Sequence, residues 1–218
     1  MQLFFDDSTG KVWVSTADFI TDRKILDKKT GVPIVVVTRE IDLETGKNLT
    51  HDVVNCYSSV GNGVAEGPHI FRRRGRYYLN VAIGGTDVCH QQWIYRGDSP
   101  LGPWEAAPSP INPMIYNELH PEIRLTGHMD LCPGDQGVDG DQWWACFLGV
   151  RPQWDEQGQV HDSQLGRETF LCPVEWKDGW PMVNRGQKVT IDGLAETGLA
   201  RLPDAFTEEY DYKPADSE

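Results

Sequence analysis

The stretch Arg72–Ile83, "RRRGRYYLNVAI", is a polar turn built on Gly75 that leads into a strand of aromatic and branched residues. The same grammar occurs twice more, in "DDSTGKVWVSTA" from Asp6 and in "GVDGDQWWACFLGV" from Gly137. The turn glycines Gly10, Gly75 and Gly140 stand 65 residues apart, a period that marks an array of repeated supersecondary units. Between these landmarks fall further short strand candidates: "PIVVVTREID", "DVVNCY", "HQQWIYRG", "IRLTGHMDL", "ETFLCPVEW" and "WPMVN". Gly, Pro and Asp punctuate them, and no segment sustains a helical period. About four strands per repeat is the make-up of a β-propeller blade. A β-sandwich or a jelly roll would not need this equal spacing.

Three repeats and a remainder fit into 218 residues, whereas a propeller closes with about 4 to 8 blades. The expectation is therefore an all-β partial propeller over residues 1–190 that lacks its first blade, because Leu3 already lies within the first repeat. Residues 191–218, acidic and poor in strand formers, are expected to be a tail or linker.

Composition bounds the function. With 39% hydrophobic and 24% charged residues, the chain is an ordinary globular sequence long enough for one large core. A net charge of -13 repels a phosphate backbone, which argues against nucleic acid as a partner. The run Arg72, Arg73, Arg74, Arg76 is accordingly expected to be a solvated turn. No apolar stretch is long enough to span a bilayer, and "MQLFFDDSTG" lacks the pattern of a signal peptide. The cysteines Cys56, Cys89, Cys132, Cys146 and Cys172 form no CxxC pair, so buried free thiols are expected rather than a zinc site or a disulfide framework. Asp135, Asp139 and Asp141 lack the ligand spacing of a calcium loop and read as a hairpin turn. Neither a metal nor a cofactor is expected. Most of the eight tryptophans should be blade core, and any ring that stacks on a sugar is expected in a loop.

One carboxylate stands apart. Glu66, in "GVAEGPHIF", is followed by Gly67-Pro68, a pair expected to interrupt the strand and leave Glu66 at the mouth of a hairpin.

The segments "LFFDDSTGKVWV", "EIDLETGK", "AEGPHIFRRRGRYYL", "GDSPLGPWE", "TGHMDL", "WWACFLGVRP" and "GRETFLCPVEWKDGWP" run in this order from Leu3 to about Asn184. Together they resemble glycoside hydrolase family 43, in the pattern of its β-xylosidase and α-L-arabinofuranosidase members. The resemblance implies a five-bladed propeller that hydrolyses xylose- or arabinose-containing plant polysaccharides and oligosaccharides with inversion. Such chemistry pairs a carboxylic acid, which protonates the leaving oxygen, with a carboxylate base that activates water on the opposite face. Glu66 matches the family's acid. His128 matches a histidine that supports the base and the sugar, and Arg167 an arginine that contacts sugar hydroxyls. His90 corresponds more loosely to a substrate-binding position, with a buried structural histidine as the competing reading. Asp6 and Asp7 fall in a turn, and neither the family's base nor its tuning aspartate has a matching motif here. The chain alone is thus expected to be inactive. The alternative is a non-catalytic carbohydrate-binding or interaction propeller.

Overall fold

A computed structural model describes residues 1–19, 34–161, 163 and 165–191, and its regular elements are fourteen strands and one 3-10 turn, Asn184–Gly186. The strands build three four-stranded antiparallel sheets in sequence order. The first contains β1 (Gln2–Asp6), β2 (Lys11–Phe19), β3 (Ile34–Ile41) and β4 (Val53–Cys56). The second contains β5 (Ala65–Arg73), β6 (Arg76–Ile83), β7 (Gln91–Gly97) and β8 (Glu105–Ala106). The third contains β9 (Arg124–Pro133), β10 (Trp143–Val150), β13 (Glu168–Lys177) and β14 (Trp180–Val183). A small hairpin, β11 (Gln153–Trp154) with β12 (Val160–His161), is inserted between β10 and β13.

Each sheet is a meander that never exchanges a strand with its neighbour, which is the topology of propeller blades and not of a sandwich. The three repeated turns are the first hairpins of the three blades. Gly10 and Gly75 take the left-handed backbone there, with φ of +71° and +80°. The third turn is longer, and its left-handed residue is Gly137 (φ +72°) rather than Gly140. All six further strand candidates are strands; β8, β11 and β12, two residues each, are too short to show a period. Apart from Ile191, the expected tail lies outside the described residues.

Packing between blades uses the strand alternation. Ile70, Leu79 and Val81 of the second blade meet Val36 of the first, while Tyr78 and Ile94 join Met129, Trp143 and Phe147 of the third. Polar bridges fix the same interfaces. The Gln2 amide donates to the Ile70 carbonyl and accepts from the Ile70 N–H, as a further strand would. Tyr77 donates to Asp6 at 2.8 Å. Burial of Asp6 works against its charge, but hydrogen bonds from Ser8, Tyr77 and Thr9 outweigh it and hold the carboxyl below its usual range.

The basic turn is exposed at Arg72, Arg74 and Arg76, as its composition suggests, but not at Arg73. Arg73 is 3% exposed, lies 3.9 Å from the centre of the Trp176 ring, and donates to Asp141 at 2.7 Å. Arg74 reaches Asp139 and Asp141. The acidic β9–β10 turn is thus the counter-charge of the basic β5–β6 turn, a pairing that only blade packing creates. All five cysteines are free, but burial holds only for Cys56 and Cys172, whereas Cys132 is exposed.

Candidate functional site

Strands β5 and β9 are the first strands of consecutive blades, so both begin at the same end of the molecule. β10 ends opposite the start of β9, with Val150 facing Arg124, and β13 begins opposite the end of β10, with Glu168 facing Gly149. Residues at the starts of β5, β9 and β13 therefore share one end, and the glycine turns occupy the other.

Gly67-Pro68 does not break the chain. β5 runs through it, and the ladder to β6 skips from Glu66↔Ala82 to His69↔Asn80, so Gly67 and Pro68 together oppose Val81. This is a β-bulge, where proline's missing N–H costs no ladder bond and glycine supplies φ +54°. Glu66 is consequently a half-buried strand residue at the edge of the bulge, not a loop residue.

β9 is bulged twice. His128 and Met129 oppose Phe147, and Leu125 and Thr126 oppose Gly149. Each bulge holds a non-glycine residue in the left-handed region, His128 at φ +49° and Leu125 at +56°. Such backbones persist only where their surroundings over-determine them, and here the second blade does so. His90 and Gln92, two residues apart, project from the same side of the chain onto β9. The His90 Nδ1–H donates to the Leu125 carbonyl at 3.0 Å. The Gln92 amide accepts from the Met129 N–H at 3.0 Å and donates to the Met129 carbonyl and to Asn80. Asn80 also donates to the Met129 carbonyl at 2.6 Å. Side chains thus meet the Leu125 carbonyl and both Met129 backbone groups at the bulges, while the Leu125 N–H donates to the Glu118 carbonyl at 3.0 Å.

The bulges of β5 and β9 face each other. A methyl in place of the Gly67 hydrogen would stand 2.7 Å from His128 Nε2, and one on Gly127 would stand 2.5 Å from His90 Nε2. Each blade therefore gives a histidine that lies on the other blade's glycine. His128 is exposed and lies over Gly67, the residue after Glu66, and Arg167, also exposed, immediately precedes β13. His90 is 0% exposed and lies beneath the strand that carries His128, as its competing reading of a buried structural histidine expects. Burial lowers its pKa; the Leu125 bond and the charge of Glu66 oppose that fall, and His128 and Arg167 reinforce it. All four residues thus share one electrostatic neighbourhood.

Two side chains that the motifs did not single out join this neighbourhood. His69 Nδ1 lies 3.4 Å from Asp130 Oδ1, so that β5 and β9 are also linked by an ion pair when the imidazole is protonated. Burial lowers the His69 pKa, Asp130 pulls it up, and His128 and the N-terminal amine push it down. Their signal was positional: His69 follows Glu66 by three residues across a bulge, and Asp130 follows His128 by two. Among the described residues, no group of three or more His, Cys, Asp or Glu side chains is arranged to hold a metal ion.

Residues 2–181 match the family model "Glycosyl hydrolases family 43". The chain belongs to this family. It is 41% identical over 148 residues to a non-reducing end alpha-L-arabinofuranosidase of Bacteroides ovatus, covering 66% of this chain and 26% of that protein. It is 28% identical over 210 residues to a beta-xylosidase of Bacillus subtilis, covering 94% of this chain and 36% of the relative. Among solved structures, xylan beta-1,4-xylosidase from Bacillus halodurans superposes with a TM-score of 0.68 at 28% identity, over 85% of this chain and 33% of that one. The chain spans about a third of the length of the curated relatives it matches. Family 43 membership accounts for the all-β blade architecture, and every motif quoted for it from "LFFDDSTGKVWV" to "GRETFLCPVEWKDGWP" begins within the matched span.

Proposed function

We propose that the chain is the acid-bearing part of an inverting family 43 glycosidase acting on xylose- or arabinose-containing oligosaccharides, with Glu66 as the general acid. Supporting this reading is the approach of the two bulged inner strands, which sets the Glu66-Gly67 edge of β5 against His128 of β9. His128 would orient the sugar and Arg167, with its planar fork of donors, would hold its hydroxyls. An acid alone can donate a proton to a leaving oxygen but cannot activate the attacking water. Because the base and the tuning carboxylate have no matching motif in this sequence, hydrolysis in this reading needs groups beyond it.

The test is turnover of 4-nitrophenyl β-xyloside and α-L-arabinofuranoside, with the product anomer followed by NMR. The isolated chain is expected to show little or no hydrolysis, and a longer protein that adds the base is expected to hydrolyse one of them with inversion. Retention of configuration would overturn the mechanism. No turnover by the longer protein, with sugar binding intact, would favour the non-catalytic carbohydrate-binding reading.

A further inference from the structure

Seven of the eight tryptophans are buried or half-buried, and Trp154 is the exception, with 54% of its surface exposed. It stands on the β11–β12 hairpin, an insertion that contributes nothing to the four-stranded blade from which it rises. Its indole N–H donates to the Pro121 carbonyl at 3.2 Å, which fixes the edge of the ring. Among the described residues, no aromatic ring or cation lies over its face. Beside it is a cleft of about 570 Å³, lined by Trp154 with Gln153, Leu165, Glu122, Arg151 and Glu168 among others. That volume falls within the range of about 300 to 1,000 Å³ typical of small-ligand sites.

The polar wall is built rather than incidental. Arg151 holds Glu168 through two hydrogen bonds, Nε to Oε2 at 2.9 Å and Nη2 to Oε1 at 2.5 Å. These bonds keep the Glu168 carboxyl below its ordinary range, so it stays an acceptor at neutral pH. The Glu122 carboxylate accepts from the Ile191 N–H at 2.9 Å. Among the described residues, the charged side chains lining the cleft are one arginine and two glutamates, which disfavours a phosphate or a uronic acid. A flat apolar face beside fixed hydroxyl acceptors suits a neutral, polyhydroxylated ring, whose C–H face packs on the indole while its hydroxyls meet the carboxylates. Position gives the final link. Glu168 directly follows Arg167, and the cleft opens at the end of the blades that carries Glu66 and His128.

We infer that the Trp154 cleft is a second sugar-binding subsite, separate from the Glu66 and His128 centre, which takes a pentose unit farther along an oligosaccharide held at that centre. The inference rests on the proposed carbohydrate function. It predicts that affinity rises with oligosaccharide length and that Trp154 carries the increment.

The probes are xylose, xylotetraose and arabinotetraose, added to the chain labelled with ¹⁵N and followed by the Trp154 indole N–H and the His128 imidazole signals. Xylotetraose is expected to shift both, and xylose to shift His128 only. By calorimetry, Trp154→Ala is expected to weaken xylotetraose binding by about fivefold to tenfold, the worth of one aromatic stacking contact, with xylose binding unchanged. Trp154→Phe, which keeps a ring, is expected to retain most of the affinity and guards against misfolding of the alanine variant. A His128 shift without a Trp154 shift would overturn the subsite and leave the proposed function standing. A Trp154 shift without a His128 shift would count against the centre and overturn the inference that the cleft extends it. Silence of both signals with xylotetraose and with arabinotetraose would overturn the two readings together.

Discussion

Gly67 and His128 occupy facing bulges on adjacent blades, so close that a Cβ on Gly67 would stand 2.7 Å from the imidazole Nε2. The contact joins sequence, fold and site. Gly67 has to be glycine for two separate reasons, its φ of +54° and the histidine above it, whereas Gly75 at φ +80° has to be glycine for one, because nothing lies within 4 Å of its Cβ position.

That difference is measurable. Gly75→Ala is expected to cost only the left-handed backbone penalty, about 1–2 kcal/mol. Gly67→Ala is expected to cost that and up to about 1 kcal/mol besides, the exposed His128 ring having to turn aside. Placing Gly67→Ala in a His128→Ala background should return its cost to the Gly75 level. The check is the urea midpoint of the four variants, and equal costs for the two single glycine changes would mean that the His128 contact is slack.

His90 predicts a pH dependence. Folding lowers its pKa, chiefly through burial, so the unfolded chain binds a proton that the folded chain resists. Stability is therefore complete above the ordinary histidine value of 6.5 and declines as pH falls below it. His69, also lowered by burial, adds to the same window. Replacing His90 with Gln, which keeps an N–H donor for Leu125, is expected to flatten part of the decline between about pH 6.5 and pH 5. Denaturation midpoints for the two proteins across that range decide the matter; parallel curves would remove His90 as a source.

The blades were legible because a run of aromatic and branched residues is a local signal, as in "YYLNVAI", and a glycine turn recurs wherever a hairpin must close. The bulges were not. Whether Gly67-Pro68 ends a strand or widens it depends on β6 lying alongside, with Val81 opposite both residues. His128 and Leu125 sit in left-handed backbone with no glycine or asparagine to announce it, held by side chains from another blade. Arg73 shows the same limit: a run of arginines is a solvated turn until an acidic turn and Trp176 are packed on it. Glu66, His128 and Arg167 could be named from motifs, while the burial of His90 and the presence of His69 and Asp130 required three dimensions.

The arginine run provides a direct contrast. Arg73→Ala removes a buried guanidinium from a tryptophan face and from its bonds to Asp141 and the Gly140 carbonyl, with an expected loss of about 2 kcal/mol. Arg74→Ala removes an exposed partner of the same acidic turn and should cost less than about 1 kcal/mol. Arg73→Lys is expected to recover little, because an ammonium reproduces neither the planar stack nor the fork. Thermal denaturation of the three variants ranks them, and a cost for Arg73→Ala as small as that for Arg74→Ala would restore the solvated-turn view at Arg73 as well.

Proton donation by Glu66 predicts that the damage from its removal depends on the leaving group. In a longer protein that supplies the base, Glu66→Gln keeps the shape of the side chain and its place beside the Gly67 bulge but has no proton to give. A xylosyl leaving group departs as a poor alkoxide, so its hydrolysis should fall by about 10²- to 10⁴-fold, the usual worth of general acid catalysis. A 4-nitrophenolate leaves with little help, and its hydrolysis should fall much less. The measurement is kcat/KM on xylobiose and on 4-nitrophenyl xyloside for both proteins, with xylobiose affinity as the control for folding. A uniform loss on both substrates would place Glu66 in binding or in the activation of water rather than in protonation of the leaving group.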